Sequence, residues 1–308
     1  MKHTHNVLEY CIACPRHCGV NRLHGQFGFC QAPALPKVAL VSTHHWEEPP
    51  ISGTNGSGTI FFSHCNLQCV FCQNHDISCN GFGKEISVSR LAEIFLEQQQ
   101  KNVHNINLVS PTQFIAQIAE ALRIAKKWGL LLPVVYNSNG YESRESLSLL
   151  DGLIDIYLPD FKYWDHILAM KYSHALNYRE YAAKAILEMK RQTGKNQFDD
   201  NGILQKGMIV RHLILPNHYK DSFFVLEWIR ENLGTDTCVS LLRQYTPMHK
   251  AKEHKELYRK LTTFEYKKVT DYFFNIGLNY GFEQMKDSAT SAYTPIFNLH
   301  GVANNPSS

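Results

Sequence analysis

The segment GTIFFSHCNLQCVFCQNHD, residues 58–76, sets Cys65, Cys69 and Cys72 at C-x3-C-x2-C spacing directly after an apolar run. Thiolates this close together read first as metal ligands, and their number decides the chemistry. A structural zinc takes four donors, often as two tight pairs. Three thiolates in one short loop suit three corners of a cuboidal iron–sulfur cluster and leave the fourth iron free for an exogenous ligand. His64 or His75 as a fourth donor would instead close a zinc or cluster site. The polar and glycine neighbours of the loop argue against a set of unligated core thiols.

A second group, Cys11, Cys14, Cys18 and Cys30, has the spacing C-x2-C-x3-C-x11-C. Four thiolates make a closed site, so a second metal centre is expected, holding either zinc as a structural staple or a [4Fe-4S] cluster as an auxiliary centre or relay. So short a segment cannot bury a core by itself. Arg16, His17 and Arg22 are read as a solvated face or a docking surface. Nine cysteines is an odd count, and seven lie in the first quarter of the chain. A disulfide scaffold would distribute them and belongs to secreted proteins. Cys79 and Cys238 lack ligand company and are expected to be plain buried thiols.

Such residues need a frame. Apolar, β-branched runs occur at 59–63, 106–109, 133–137, 154–158, 208–215 and 238–242, with strand character also at 37–41. Between them the spacing predicts helices near 88–101, 178–192, 223–232 and 253–275. A further helix follows from Phe114, Ile118, Leu122, Ala125 and Trp128 on one face, with Ser110, Pro111 and Gln113 as a capping signature and Gly129 as its stop. Alternating strands and helices mean parallel βαβ units with right-handed crossovers. The expected fold is therefore α/β, an open sheet or a partial (β/α)6 TIM-like barrel, with a small N-terminal cysteine-rich metal-binding segment. The expected division is residues 1–50 for the cysteine-rich segment and connector, 51–250 for the (β/α)6 core, and 251–308 for a C-terminal helix and polar tail. PPISGTNGSG, before the first barrel strand, reads as a flexible lead-in or a backbone contact to an anion.

Function in such sheets collects at the carboxyl ends of the strands. There stand Ser110 and Thr112, where Ser110 reads as cap or contact, and Asn137 and Asn139, which read as contacts or as turn residues around Gly140. Asp160 and Lys162 are two apart on an extended chain and face one side, toward the barrel mouth or as a surface ion pair. Arg211 sits within the apolar run GMIVRHLILP, where a charge is costly unless it meets a polar cavity or a partner. His212 points to the opposite face. Gln244 and Tyr245 are weaker candidates for contact with a ligand.

With these residues in view, the chain resembles the radical S-adenosylmethionine (SAM) superfamily. CNLQCVFCQN together with IYLPDFKY is similar to the branch of the pyruvate formate-lyase activating enzyme, over nearly the full length. The resemblance implies a [4Fe-4S] cluster on Cys65, Cys69 and Cys72, whose open iron binds the amino and carboxylate groups of SAM. One electron then cleaves a sulfonium carbon–sulfur bond, giving methionine and a 5′-deoxyadenosyl radical that takes a hydrogen atom from a substrate. It also implies a substrate that is a glycine of a partner enzyme, and an electron donor such as flavodoxin or ferredoxin. Phe71 matches the aromatic position beside the adenine, Asp160 and Lys162 match a shared Asp-x-Lys pattern, and Asn137 and Asn139 fall at a Thr-Asn-Gly-like tip. Arg211 suits the SAM carboxylate by a bidentate contact. The family's Gly-Gly-Glu tip is absent; Ser110-Pro111-Thr112 stands in its place.

Bulk properties set the limits. An apolar share of 44% and a charged share of 19% are ordinary for a globular protein. A net charge of +3 argues against nucleic acid or an anionic membrane as partner. The amino terminus lacks an apolar h-region and no run is long enough to span a bilayer, so a cytoplasmic protein is expected. Two other readings fit the cysteines, a non-catalytic zinc-binding interaction module and an iron–sulfur electron-transfer protein.

Overall fold

The computed structural model describes residues 2–284 and 295–303. Its strands are β1 (Lys37–His44), β2 (Ser57–Phe62), β3 (Lys84–Glu85), β4 (Ile106–Val109), β5 (Val134–Ser138), β6 (Ile156–Pro159), β7 (Gln197–Phe198), β8 (Leu204–Leu213), β9 (Cys238–Leu242) and β10 (Gly281–Glu283). They form one sheet in the order β10-β9-β8-β6-β5-β4-β2-β1-β3, with β7 paired to β8. All neighbours from β2 to β10 along this order are parallel, while β1 pairs antiparallel with β2 and with β3. This is the expected partial (β/α)6 barrel, extended by β10 as a seventh parallel strand.

Strand parity separates two apolar layers. Val135, Ile156, Leu158, Ile209 and Cys238 point inward and pack together with Leu204, while Tyr136, Tyr157 and Val210 point outward into the helix layer. The outer helices include Val88–Gln100, Ile115–Lys127, Tyr178–Thr193 and Tyr219–Leu233. Ser87 caps the first by accepting from Arg90 N at 3.0 Å. Helix His166–Ser173, capped by Asp165, was not expected.

Three expectations need correction. PPISGTNGSG is not a loose lead-in. Pro49–Ser52 forms a helical turn, and fully buried Ile51 plugs the inward layer. Asn105 Nδ2 donates to Ile51 O at 2.7 Å and fixes the plug. The Ser110 capping signature also fails. Ser110 has φ +55°, a 3-10 turn covers Thr112–Phe114, and the helix starts at Ile115. The Gln113 amide is taken by the carbonyls of Ser63, His64 and Ser110. Finally, the last helix is Thr263–Asn275 rather than 253–275, because Thr262 and Glu265 form a capping box that starts it there. The expected polar tail falls largely on residues 304–308, outside the described residues. Among the described residues no helix is long and apolar enough to cross a membrane.

Candidate cluster and ligand site

The polypeptide leaves β2 through His64 in a left-handed conformation, φ +70°, and enters the cysteine loop. Cys65, Cys69 and Cys72 border one cavity of about 360 Å3. Each sulfur accepts a hydrogen bond. Ser173 Oγ donates to Cys69 at 2.9 Å, Ser78 Oγ to Cys72 at 3.2 Å, and both Leu67 N and Asn139 Nδ2 to Cys65 at 3.4 Å. None of the three is in a disulfide. Burial pushes the Cys69 thiol up to about 11 and the Cys72 thiol to about 12, so a metal would displace protons on binding. The donor set fits a cluster: three soft donors bordering one cavity, each supported by a neighbour. Among the described residues no group of three or more His, Cys, Asp or Glu side chains is arranged to hold a metal ion.

The polar strand ends border the same cavity. Arg211 Nε donates to Asp160 Oδ1 at 2.9 Å, and its Nη2 donates to Asn137 Oδ1 at 2.5 Å. Lys162 Nζ donates to Asp160 Oδ2 at 2.6 Å. Burial alone would raise the Asp160 carboxyl, yet Arg211 and Lys162 hold it below the usual carboxylate range. These charges are nearly enclosed, with side-chain exposures of 14% for Arg211, Asp160 and Lys162, so this is no surface ion pair. Gly140, φ +79°, lets the β5 tip close on β6, since a Cβ there would strike the Asp160 carbonyl.

The structure thus brings Asn137, Asn139, Asp160, Lys162 and Arg211 to the cysteine cavity. Asn139 serves both of its readings: its amide reaches Cys65, and its Oδ1 accepts from Tyr141 N at 2.9 Å as a turn residue does. Ser110 borders the cavity and does not cap the helix. Phe71 borders an adjoining cavity of about 160 Å3, against Tyr245 at 5.7 Å between ring centroids. Gln244 borders both cavities, whereas Tyr245 is anchored by its hydroxyl to Leu257 O at 2.8 Å. Thr112 turns away and donates to Glu142 Oε1 at 2.6 Å. His212 faces the helices, hydrogen-bonded to Ser222 Oγ at 2.8 Å.

Neither His64 nor His75 borders the cavity, so neither closes the triad; His75 stacks on His249 at 4.9 Å. Arg16 and Arg22 are neither solvated nor a docking face. Arg16 donates to Asn66 O at 2.6 Å and Arg22 to Gln113 O at 2.7 Å, both turned toward the barrel. Cys238 is buried as expected, but Cys79 is half-buried beside Ser78. Cys11, Cys14, Cys18 and Cys30 border one small void of their own.

Glu47 was missed. It comes up from the plug, accepts from Asn137 Nδ2 at 3.3 Å and Arg211 Nη1 at 3.5 Å, and borders the cavity. Burial raises its carboxyl, against the pull of Arg211. Beside it, buried Glu48 has an Oε2 without a partner. The signal was the pair Glu47-Glu48 ahead of two prolines, in a segment outside the strand pattern.

No family model matches the chain. In sequence it is 32% identical over 279 residues to the uncharacterized protein MJ0674 of Methanocaldococcus jannaschii, covering 86% of this chain and 75% of that protein. In structure it is similar to Streptococcus suis SuiB bound to S-adenosylmethionine, at TM-score 0.50 and 14% identity over 72% of this chain and 48% of that one. It is also similar to methylornithine synthase (PylB), at TM-score 0.50 and 16% identity over 73% of this chain and 70% of that one. HydG, a maturase of the [FeFe]-hydrogenase, gives TM-score 0.50 and 11% identity over 76% and 53%. The chain spans about half the length of SuiB and HydG. These likenesses show the fold.

Proposed function

The chain belongs to the family of the Methanocaldococcus jannaschii protein MJ0674, and we propose that it is a radical SAM enzyme. The observation that carries the reading is one cavity bordered both by Cys65, Cys69 and Cys72 and by the Arg211–Asp160–Lys162 network. In this reading the three thiolates hold a [4Fe-4S] cluster. With SAM bound, that group supplies the one-electron cleavage yielding methionine and a 5′-deoxyadenosyl radical that abstracts a hydrogen atom from the substrate.

The side chains have separate tasks. Arg211 presents donors to a carboxylate. Asp160 fixes the guanidinium and the Lys162 ammonium in place, and Glu47 and Asn137 hold its other edge. Ser78, Ser173 and Asn139 stabilise thiolate charge by donating to the sulfurs. Phe71 offers an aromatic wall for the adenine. The four head cysteines are a second, closed metal centre, zinc or iron–sulfur.

The finer reading is an activating enzyme whose substrate is a glycine of a partner protein and whose electron comes from a flavodoxin or ferredoxin. The resemblance of CNLQCVFCQN and IYLPDFKY supports it. A reducing, cytoplasmic setting suits seven unpaired ligand cysteines. Neither a pure electron relay nor a zinc module needs such a polar cavity.

The test is incubation of the anaerobically reconstituted, reduced protein with SAM, followed by chromatography for 5′-deoxyadenosine and methionine. Both should form with the wild type and be lost when Cys65, Cys69 and Cys72 are changed to Ala. No cleavage by an iron-loaded wild type would overturn the reading.

A further inference from the structure

We infer that the outer face of helix His166–Ser173, with the basic segment 249–260 beside it, is the docking surface of an acidic one-electron carrier protein, an inference that rests on the cluster proposed at the triad. The chain has 31 basic and 28 acidic side chains. HKAKEHKELYRK, residues 249–260, holds five of the basic and two of the acidic ones, so the remaining 26 and 26 balance. The whole surplus of positive charge therefore lies on this one stretch. Arg259 is neutralised by Glu265, and nearby Lys171 by Glu256. Lys250, Lys252 and Lys255 are exposed, and among the described residues none of the three is in an ion pair.

The charged segment packs on the helix that backs the cysteine loop. His254 meets the Tyr172 ring edge-on at 5.3 Å between centroids, and the Tyr172 hydroxyl donates to Glu256 Oε1 at 2.6 Å. The Tyr172 carbonyl accepts from Val70 N at 2.9 Å, and the next residue, Ser173, donates to Cys69 Sγ at 2.9 Å. His249 stacks on His75, three residues past Cys72. The helix buries Ala169, Tyr172 and Ser173. Ile167, Met170, Lys171 and His174 recur at i, i+3, i+4 and i+7, and all four are exposed. Ile167 is 73% and Met170 44% exposed, an apolar strip beside free lysines. Such a strip with a polar rim fits a protein surface, and the lysines steer an anionic one into contact. From this face a single side chain, Ser173, reaches a triad sulfur. The carrier is oxidised by one electron and the triad cluster is reduced by one; no bond forms or breaks and no proton moves.

The experiment uses anaerobically reconstituted protein and a reduced, acidic flavodoxin as the carrier. Its affinity is measured by calorimetry and the rate of cluster reduction by stopped-flow absorbance. In the triple reversal Lys250→Glu, Lys252→Glu, Lys255→Glu both should fall at low salt, the rate by at least about 10-fold. The difference should vanish at 1 M salt, where the Debye length is ~3 Å. Photoexcited deazariboflavin, a small uncharged reductant, should reduce both proteins to the same extent. A second triple reversal, at exposed Lys101, Lys195 and Lys206 ahead of β4 and β8, changes the net charge equally at the opposite end of the sheet and should keep the wild-type rate. Equal rates for wild type and the first variant at low salt, or an equal fall in both variants, would overturn the docking surface and leave the triad reading standing. Wild type without reducible iron, seen before any carrier is added, would instead overturn the triad reading and the docking surface with it.

Discussion

Arg211 makes hydrogen bonds or ion pairs to Asp160, Asn137 and Glu47, and in the proposed function it is the group on which ligand recognition turns. A hydrogen bond to a charged group is worth ~1.5–3 kcal/mol. Arg211→Ala should therefore weaken SAM binding by roughly 10–100-fold with iron content unchanged, as calorimetric titration of the reconstituted protein would show. Unaltered binding would place the carboxylate elsewhere. Glu142 offers a second test. Burial pushes its carboxyl up to about 7, against hydrogen bonds from Ser138, Thr112 and Tyr136, and its Oε2 has no partner. A carboxyl raised from its ordinary ~4.3 favours the folded state in its protonated form. Its contribution is full below that value and is lost as pH rises toward about 7. Glu142→Gln should flatten the Tm–pH profile across that window, and a profile as steep as the wild type would refute the assignment. Much of this site was legible in the residues. Arg211 stood out as a charge in an apolar strand, and Asp160 and Lys162 by their spacing at a strand end. Glu47 and Glu142 were not, because their places depend on a plug and a buried turn that no local period announces.

At the scale of elements, the plug and the caps carry the clearest predictions. Ile51 is fully buried among inward side chains of β5, β6, β8 and β9. Ile51→Ala should cost about 2–5 kcal/mol in denaturant unfolding, whereas Leu131→Ala, 87% exposed, should change stability by less than about 0.5 kcal/mol. Equal effects would mean that the connector does not plug the barrel. Thr262→Ala, which breaks the capping box with Glu265, should cost about 0.5–2 kcal/mol. A change near zero would show that tertiary packing alone starts that helix. The strand runs were legible because buried parallel strands are continuous apolar stretches bounded by turn residues. Ser110 misled for a physical reason: Gln113, its capping partner in the local pattern, is claimed by the carbonyls that lead into Cys65. β10 has three residues at the sheet edge, too few to show a period.

For the whole molecule, the alternation of strands and helices was enough to imply a parallel, barrel-like sheet and to place function at one end of it. What it did not convey is how the parts close on that end. Arg16 and Arg22 bind the head to the barrel, and the plug enters from below with Glu47 at its tip. The cavity is thus assembled from the cysteine loop, the ends of several strands and the connector. The central claim is that the triad holds a cluster with one open iron facing this cavity. It is tested most directly by electron paramagnetic resonance of the reduced, reconstituted protein before and after SAM is added. The account predicts that the spectrum of the triad cluster changes on addition, because a ligand takes the open iron. A spectrum untouched by saturating SAM, in protein with a full complement of iron, would contradict it.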